Sequence, residues 1–169
     1  MRVWRLALGR HHELDGEGAR QYGGRWNSPG IPVVYAATHL SLALLEQLVH
    51  VNLERLPDAF RAFAIELPDA VPVETVKLSP DSSDPIACRR YGDIWATALR
   101  SAALIVPSVL VPATLDPGGI GTDERNVVLN PRHGSSGAWR VVETAFRVDA
   151  RLRRVAGGAR DTAASDTLP

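Results

Sequence analysis

Short runs of β-branched and aromatic residues recur along the chain, and only two stretches are long enough for helices of several turns. No steady strand–helix–strand rhythm can be built from that pattern, so the chain is predicted to be α+β rather than a doubly wound parallel fold. The segments RVWRLAL, IPVVYA, FRAFAIEL, NVVLN and WRVVETAFRVD read as strands, with ETVKL a weaker one and ALIVPSVLV a strand interrupted by Pro107. FRAFAIEL alternates like a half-buried strand. The helical stretches are HLSLALLEQLVHVNLE, which Thr38 can cap and which ends before Pro57, and RRYGDIWATALRSA. Between the first two strands lies the polar, Gly-bearing loop GRHHELDGEGARQYGG.

A chain of 169 residues with 45% apolar content can bury one sizeable core and is expected to form a single compact domain. From Ala156 onward, AGGARDTAASDTLP has almost no large apolar residue. It is expected to be a disordered tail over residues 156–169, leaving residues 1–155 as the domain. Lys+Arg and Asp+Glu are 19 each, so no net field attracts nucleic acid or an anionic membrane, and any anion site must be local. The single Cys88 cannot close an internal disulfide, and no apolar run approaches the roughly 20 residues of a membrane span. The opening MRVWRLALGRHH has no secretory character. A reducing cytoplasm is the expected location.

The stretch YGGRWNSPG places a cation and a tryptophan where Gly, Pro and Asn alone would supply the turn. Arg25 therefore needs a reason. The next strand ends at Tyr35, and the following helix carries Glu46. At about 100° per residue, Glu46 falls beside Leu42, Val49 and Leu53, on the border of the stripe expected to face the core, with His39 and His50 on its other flank. An isolated Glu at such a border is more often a solvated surface acid. The order Arg25, Tyr35, Glu46 changes that reading, because a loop cation, a strand-end aromatic and a helix acid can converge on one cleft. Those residue types suit cleavage of the N-glycosidic bond of NAD. Nicotinamide leaves neutral and needs no general acid, while a carboxylate stabilises the positive charge that develops on the ribose. Arginine can grip the pyrophosphate, and an aromatic ring can stack on nicotinamide.

GARQYGGRWNSPGIPVVYAATHLSLALLEQLVH, then FRAFAIELPD, RRYGDIWA, LIVPSVLVP, ERNVVLNPRH and FRVDARL resemble, in this order, the RES-domain family. The likeness spans nearly all of residues 2 to 153. It implies an ADP-ribosyltransferase-like fold with a mixed, split sheet flanked by helices. It also implies a growth-arresting toxin of a bacterial toxin–antitoxin pair, acting on NAD and neutralised by an Xre-like antitoxin; because such an enzyme must be held inactive, that antitoxin is expected to occlude the cleft around Arg25 and Glu46. Such toxins remove NAD by hydrolysis or phosphorolysis, or transfer ADP-ribose to a protein. The arginine, glutamate and serine of the family name map onto Arg25, Glu46 and Ser108, and its active-site tyrosine onto Tyr35. PATLDPGGIGTDE, between VPSVLV and RNVVLNP, is longer than the resemblance leads one to expect.

Ser108 lacks a Gly-x-Ser-x-Gly elbow, so an NAD hydrogen bond or a strand-end structural bond is expected of it rather than nucleophilic attack. Asn126 is a further candidate NAD contact, although asparagines such as Asn126 and Asn130 more often make turn bonds. No His, Cys or Glu spacing resembles a metal site, and neither a metal nor a cofactor beyond the substrate NAD is expected. Trp26 and Trp95 read as core aromatics. The rival to the enzyme is a non-enzymatic interaction module in which Arg25 and Glu46 form a structural ion pair. Self-association of the toxin alone is also expected, through the apolar surface that an antitoxin would cover.

Overall fold

The computed structural model describes residues 1–8, 14–50, 59–76, 84–111, 122–149 and 151–152. Seven strands are hydrogen-bonded into one mixed sheet: β1 (Arg2–Ala7), β2 (Val34–Ala37), β3 (Ala59–Glu66), β4 (Val73–Thr75), β5 (Ala103–Pro107), β6 (Arg125–Leu129) and β7 (Arg140–Arg147). Their spatial order is β4-β5-β6-β2-β1-β3-β7. Only β4 and β5 run parallel; every other neighbouring pair is antiparallel. Three α-helices accompany them among the described residues: α1 (Glu17–Tyr22), α2 (Leu40–Leu48) and α3 (Pro85–Ala98). The α+β class follows directly.

Period-2 alternation sends the strand side chains to two buried faces. On one, Val3, Val34, Ala36, Phe63, Ile65, Ala103, Val127 and Leu129 pack with Leu67, Val71, Leu14 and Trp139. On the other, the core falls into two separate clusters. Leu42 and Ala43 of α2 pack on Leu6, Ala37, Phe60 and Ala62. Cys88, Trp95 and Ala96 of α3 pack with Trp26 on Leu104, Val106 and Val128. The sheet is continuous, and the split lies in the core laid on this face. Because both faces are covered, β3 is not half-buried as expected: Phe60 and Ala62 are buried on one side, Phe63 and Ile65 on the other.

The helices differ from expectation at their ends. α3 begins at Pro85, ahead of the expected Arg89, because Asp84 caps it by accepting the Ile86 N–H at 2.8 Å and Pro85 occupies the first turn without needing an N–H donor. It stops at Leu99, whose left-handed backbone (φ 52°) ends the helix before the expected Ala102. Thr38 does not cap α2. His39 holds the cap position without a side-chain bond, while the Thr38 hydroxyl accepts the Arg125 N–H at 2.9 Å and donates to the Asp123 carbonyl at 3.0 Å. The hydroxyl thus ties β2 to β6. α1 lies inside the stretch expected to be loop; it buries no residue, and the Glu17–Arg20 pair supports it from outside. α2 ends at Leu48, short of the expected Glu54, where Val49 takes the cap and its N–H bonds the Leu45 carbonyl; residues 112–121 of the loop over 112–123, the boundary at residue 155 and the tail over 156–169 lie outside the described residues. Among the described residues no helix is long and apolar enough to cross a membrane.

α3 presses against residues 24–28 so closely that Gly92 has no room for a side chain: a Cβ there would overlap the Trp26 carbonyl oxygen. Gly92→Ala is therefore expected to destabilise the protein by about 1–3 kcal/mol, the usual range for overpacking. Gly18→Ala, on exposed α1 with nothing near its Cβ, should be neutral or slightly stabilising. Urea unfolding midpoints of the two variants make the comparison, and equal midpoints would show that the loop yields freely.

Candidate active site

Glu46 sits on α2 one turn after the buried Leu42 and is itself half-buried. Its Oε1 accepts a hydrogen bond from Asn126 Nδ2 at 2.6 Å and another from the Ser108 hydroxyl at 3.3 Å. Its Oε2 accepts none from the described residues. Asn126 projects from β6, where it lies opposite Ala37 of β2 and Val106 of β5. Ser108 is buried just beyond the end of β5, and its Oγ accepts the N–H groups of Leu110 and Val111 at 3.1 Å each. Asn126 stands between Ala37 of one apolar cluster and Val106 of the other, so these three polar side chains lie where the two clusters meet. Ser108 therefore makes the expected strand-end bonds and also orients the acid. Val49 does not join Leu42 on the core side, as the periodicity had implied: α2 ends at Leu48, and Val49 is 58% exposed at its cap. Leu53 falls outside the described residues.

Arg25 belongs to a second group on the same face. Tyr35 faces this side from β2, diagonal to Asn126 across the β2–β6 ladder, since it lies opposite Val128 while Ala37 lies opposite Asn126. Its hydroxyl accepts the Trp26 N–H at 2.9 Å and donates to Asn27 Oδ1 at 2.8 Å. Asn27 is fully buried, and its Nδ2 donates to the carbonyls of Ala19, Ile31 and Ser28. From the other side, α3 grips the loop residue by residue. Arg89 Nε donates to the Gly24 carbonyl at 3.1 Å, and Tyr91 meets Trp26 edge-on. Both Asp93 oxygens accept from Ser28, one from its N–H at 2.7 Å and one from its hydroxyl at 2.6 Å. The Arg25 guanidinium reaches the buried Cys88 thiol, whose pKa burial pushes up against that nearby charge. Its Nη1 is buried without a partner.

The five candidates thus fall into two neighbouring groups, Glu46–Ser108–Asn126 and Arg25–Tyr35. No ion pair joins Arg25 to Glu46 among the described residues, so the structural pair named in the rival reading does not form there. Trp26 and Trp95 are core aromatics as expected. Asn130 makes turn and helix bonds, donating to the Ala96 carbonyl and accepting the Arg132 N–H. Sequence reasoning missed Asn27, Arg89 and Asp93. Asn27 stood inside the quoted motif, but Arg89 and Asp93 gave no signal until α3 was seen against the loop.

Burial pushes the Tyr35 phenol up to about 12; the Trp26 N–H and the charges of Arg89 and Arg25 oppose the shift, and Asp93 adds to it. Its proton is retained in the folded state above the pH at which an unfolded tyrosine, with a value of 10.0, loses it. Stability owed to this group is therefore complete below pH 10 and falls as pH rises toward 12. Tyr35→Phe leaves a buried N–H and a buried amide oxygen without their partner, so at neutral pH it should cost about 1–3 kcal/mol. Between pH 10 and 12 the gap between wild type and Tyr35→Phe should narrow. Chemical unfolding of both proteins across that range measures it, and a constant gap would show that the phenol does not hold the loop.

Residues 2–151 match the RES domain family. The chain is 37% identical over 142 residues to the Prs ADP-ribosylating toxin of Sphingobium sp. (strain YBL2), covering 77% of this chain and 82% of that protein. It is 34% identical over 156 residues to Toxin Res of Pseudomonas putida, covering 90% of this chain and 99% of that one. It is 32% identical over 128 residues to the NAD(+) phosphorylase MbcT of Mycobacterium tuberculosis, covering 67% and 66% of the two. In fold it is similar to a chain of the M. tuberculosis MbcT–MbcA toxin–antitoxin complex, with a TM-score of 0.61, 21% identity, and coverage of 93% of this chain and 88% of that one. The Arg25 loop, the Glu46 helix, Ser108 and Asn126 all lie within the matched span, and the chain belongs to the RES domain family.

Proposed function

We propose that this protein is the toxin of a bacterial toxin–antitoxin pair and that it consumes NAD by cleaving the nicotinamide–ribose bond. The observation that carries this reading is the disposition of Glu46: Asn126 and Ser108 hold one carboxylate oxygen where two apolar clusters meet, and the other oxygen accepts no bond from the described residues. In the reaction the C1′–N bond breaks, and its electron pair neutralises the pyridinium nitrogen of the departing nicotinamide. The ribose becomes oxocarbenium-like, and the Glu46 carboxylate stabilises that charge in a site where bulk water is partly excluded. Water or phosphate then bonds to C1′ and loses a proton. No cofactor besides the substrate is needed. Arg25 would take a phosphate oxygen, a reading supported by the missing hydrogen-bond partner of its Nη1. Tyr35 and Asn27 hold the loop that presents it, a role the bonded hydroxyl favours over stacking on nicotinamide.

A second reading, transfer of ADP-ribose to a protein, uses the same bond cleavage and differs only in the acceptor. The relative named as a Prs ADP-ribosylating toxin favours it, while the relative named as an NAD(+) phosphorylase favours phosphate. An enzyme that removes a central cofactor from the cytoplasm requires restraint. The similar fold in a toxin–antitoxin complex supports an antitoxin partner, which would restrain the enzyme by covering Glu46 and Arg25.

Incubating the purified protein with NAD, with and without phosphate, and identifying the products tests the reaction and its acceptor. Glu46→Gln keeps the hydrogen-bond geometry and removes the charge. It is expected to lower kcat by about 100-fold or more with a much smaller change in NAD affinity. A glutamine variant with normal kcat would show that this carboxylate does not stabilise the transition state.

A further inference from the structure

Arg25 is not the only guanidinium on its wall. Arg89 projects from α3 beside the same loop, and its Nε is committed to the Gly24 carbonyl at 3.1 Å. That bond fixes one edge of the group next to Arg25 and leaves the terminal nitrogens without a hydrogen-bond partner among the described residues. Neither arginine forms an ion pair there. Asp93, the acid on the same helix and within electrostatic reach of Tyr35, already has both oxygens occupied by Ser28. Two guanidiniums thus flank one short loop, and neither is ion-paired to an acid among the described residues. Such an arrangement suits a dianion, because planar forks can each take two oxygens and a charge-assisted bond to phosphate is about twice as strong as a neutral one.

We infer that Arg89 is a second anion-binding residue of the NAD site, and that Arg25 and Arg89 together grip the pyrophosphate, one phosphate each. The inference rests on the NAD-cleaving reading above and gives it a specificity determinant. A ligand with two linked phosphates engages both guanidiniums, whereas nicotinamide mononucleotide, with one phosphate, can engage only one fully. The site therefore selects dinucleotides over mononucleotides by charge count. Arg89 stands on an exposed face of α3 and contributes nothing to the apolar clusters, so replacing it leaves the core intact.

The test is the kinetics of Arg89→Gln and Arg89→Lys on NAD and on nicotinamide mononucleotide. The expected result for Arg89→Gln is a KM for NAD raised about tenfold or more, the loss of one charge-assisted phosphate contact. Its kcat should stay within about threefold, the rise for the mononucleotide should be clearly smaller, and Arg89→Lys should recover part of the loss. An unchanged KM overturns the inference. So does an equal rise for both substrates, which would mean that Arg89 merely holds the Gly24 carbonyl. Titration calorimetry with inorganic pyrophosphate reads the same site without turnover: wild type should bind it more tightly than Arg89→Gln, and equal binding overturns the proposal. If wild type binds pyrophosphate in this Arg89-dependent way yet leaves NAD intact, the reaction assigned above fails while the anion site stands.

Discussion

A carboxylate moved out of water loses solvation that only hydrogen bonds or charge can restore, and Glu46 occupies such a position. Its place is possible because the core on one face of the sheet is divided. α2 closes one apolar cluster and α3 the other, leaving a polar row between them. Asn126 donates from the sheet floor, and Ser108 donates from the strand end while its own oxygen satisfies two backbone N–H groups. Every partner has a second commitment. Asn126 is locked between β2 and β5, and Ser108 is buried, so the acid is positioned by elements that cannot move without disturbing the sheet.

The arginine side is organised on a different principle. Residues 23–28 contain one large apolar anchor, Trp26, and are otherwise held by polar bonds from Tyr35, Asn27, Arg89 and Asp93. Each such bond is worth roughly 1 kcal/mol net, but a buried group left unpaired costs more, so the set acts as one interlocked unit. Steric fit reinforces it: side chains at Gly24 or Gly92 would strike the Tyr35 hydroxyl or the Trp26 carbonyl. A rigid loop suits the anion grip proposed for it, because ordering a mobile arginine on binding would offset the energy gained.

Much of the fold was legible in the sequence. The strands at the start, in FRAFAIEL, before Pro107 and in NVVLN each have the β-branched or aromatic composition that a sheet rewards, and each forms close to where it was expected. Helix ends were harder. Asp84 and Pro85 spell a cap and first turn, yet they sat among other turn-forming residues that masked the signal, while Thr38 had a hydroxyl suited to a cap and a stronger use in tying β2 to β6. α1 was hidden because a short exposed helix has no apolar stripe to read.

The sequence by itself determined the α+β class and the strand positions, and it named Arg25, Tyr35, Glu46, Ser108 and Asn126 as candidates for an NAD site. Those properties depend on local propensity, alternation and motif, which act over a few residues. Only the tertiary structure decided which atoms meet. Glu46 finds Ser108 and Asn126 across 62 and 80 residues of chain, and Ser28 finds Asp93 across 65. It also decided that no ion pair joins Arg25 to Glu46 among the described residues and that Arg89 bonds the Gly24 carbonyl beside Arg25. Contacts between distant segments arise from how the sheet orders its strands and where the helices land on it, and no periodicity within a segment encodes that order.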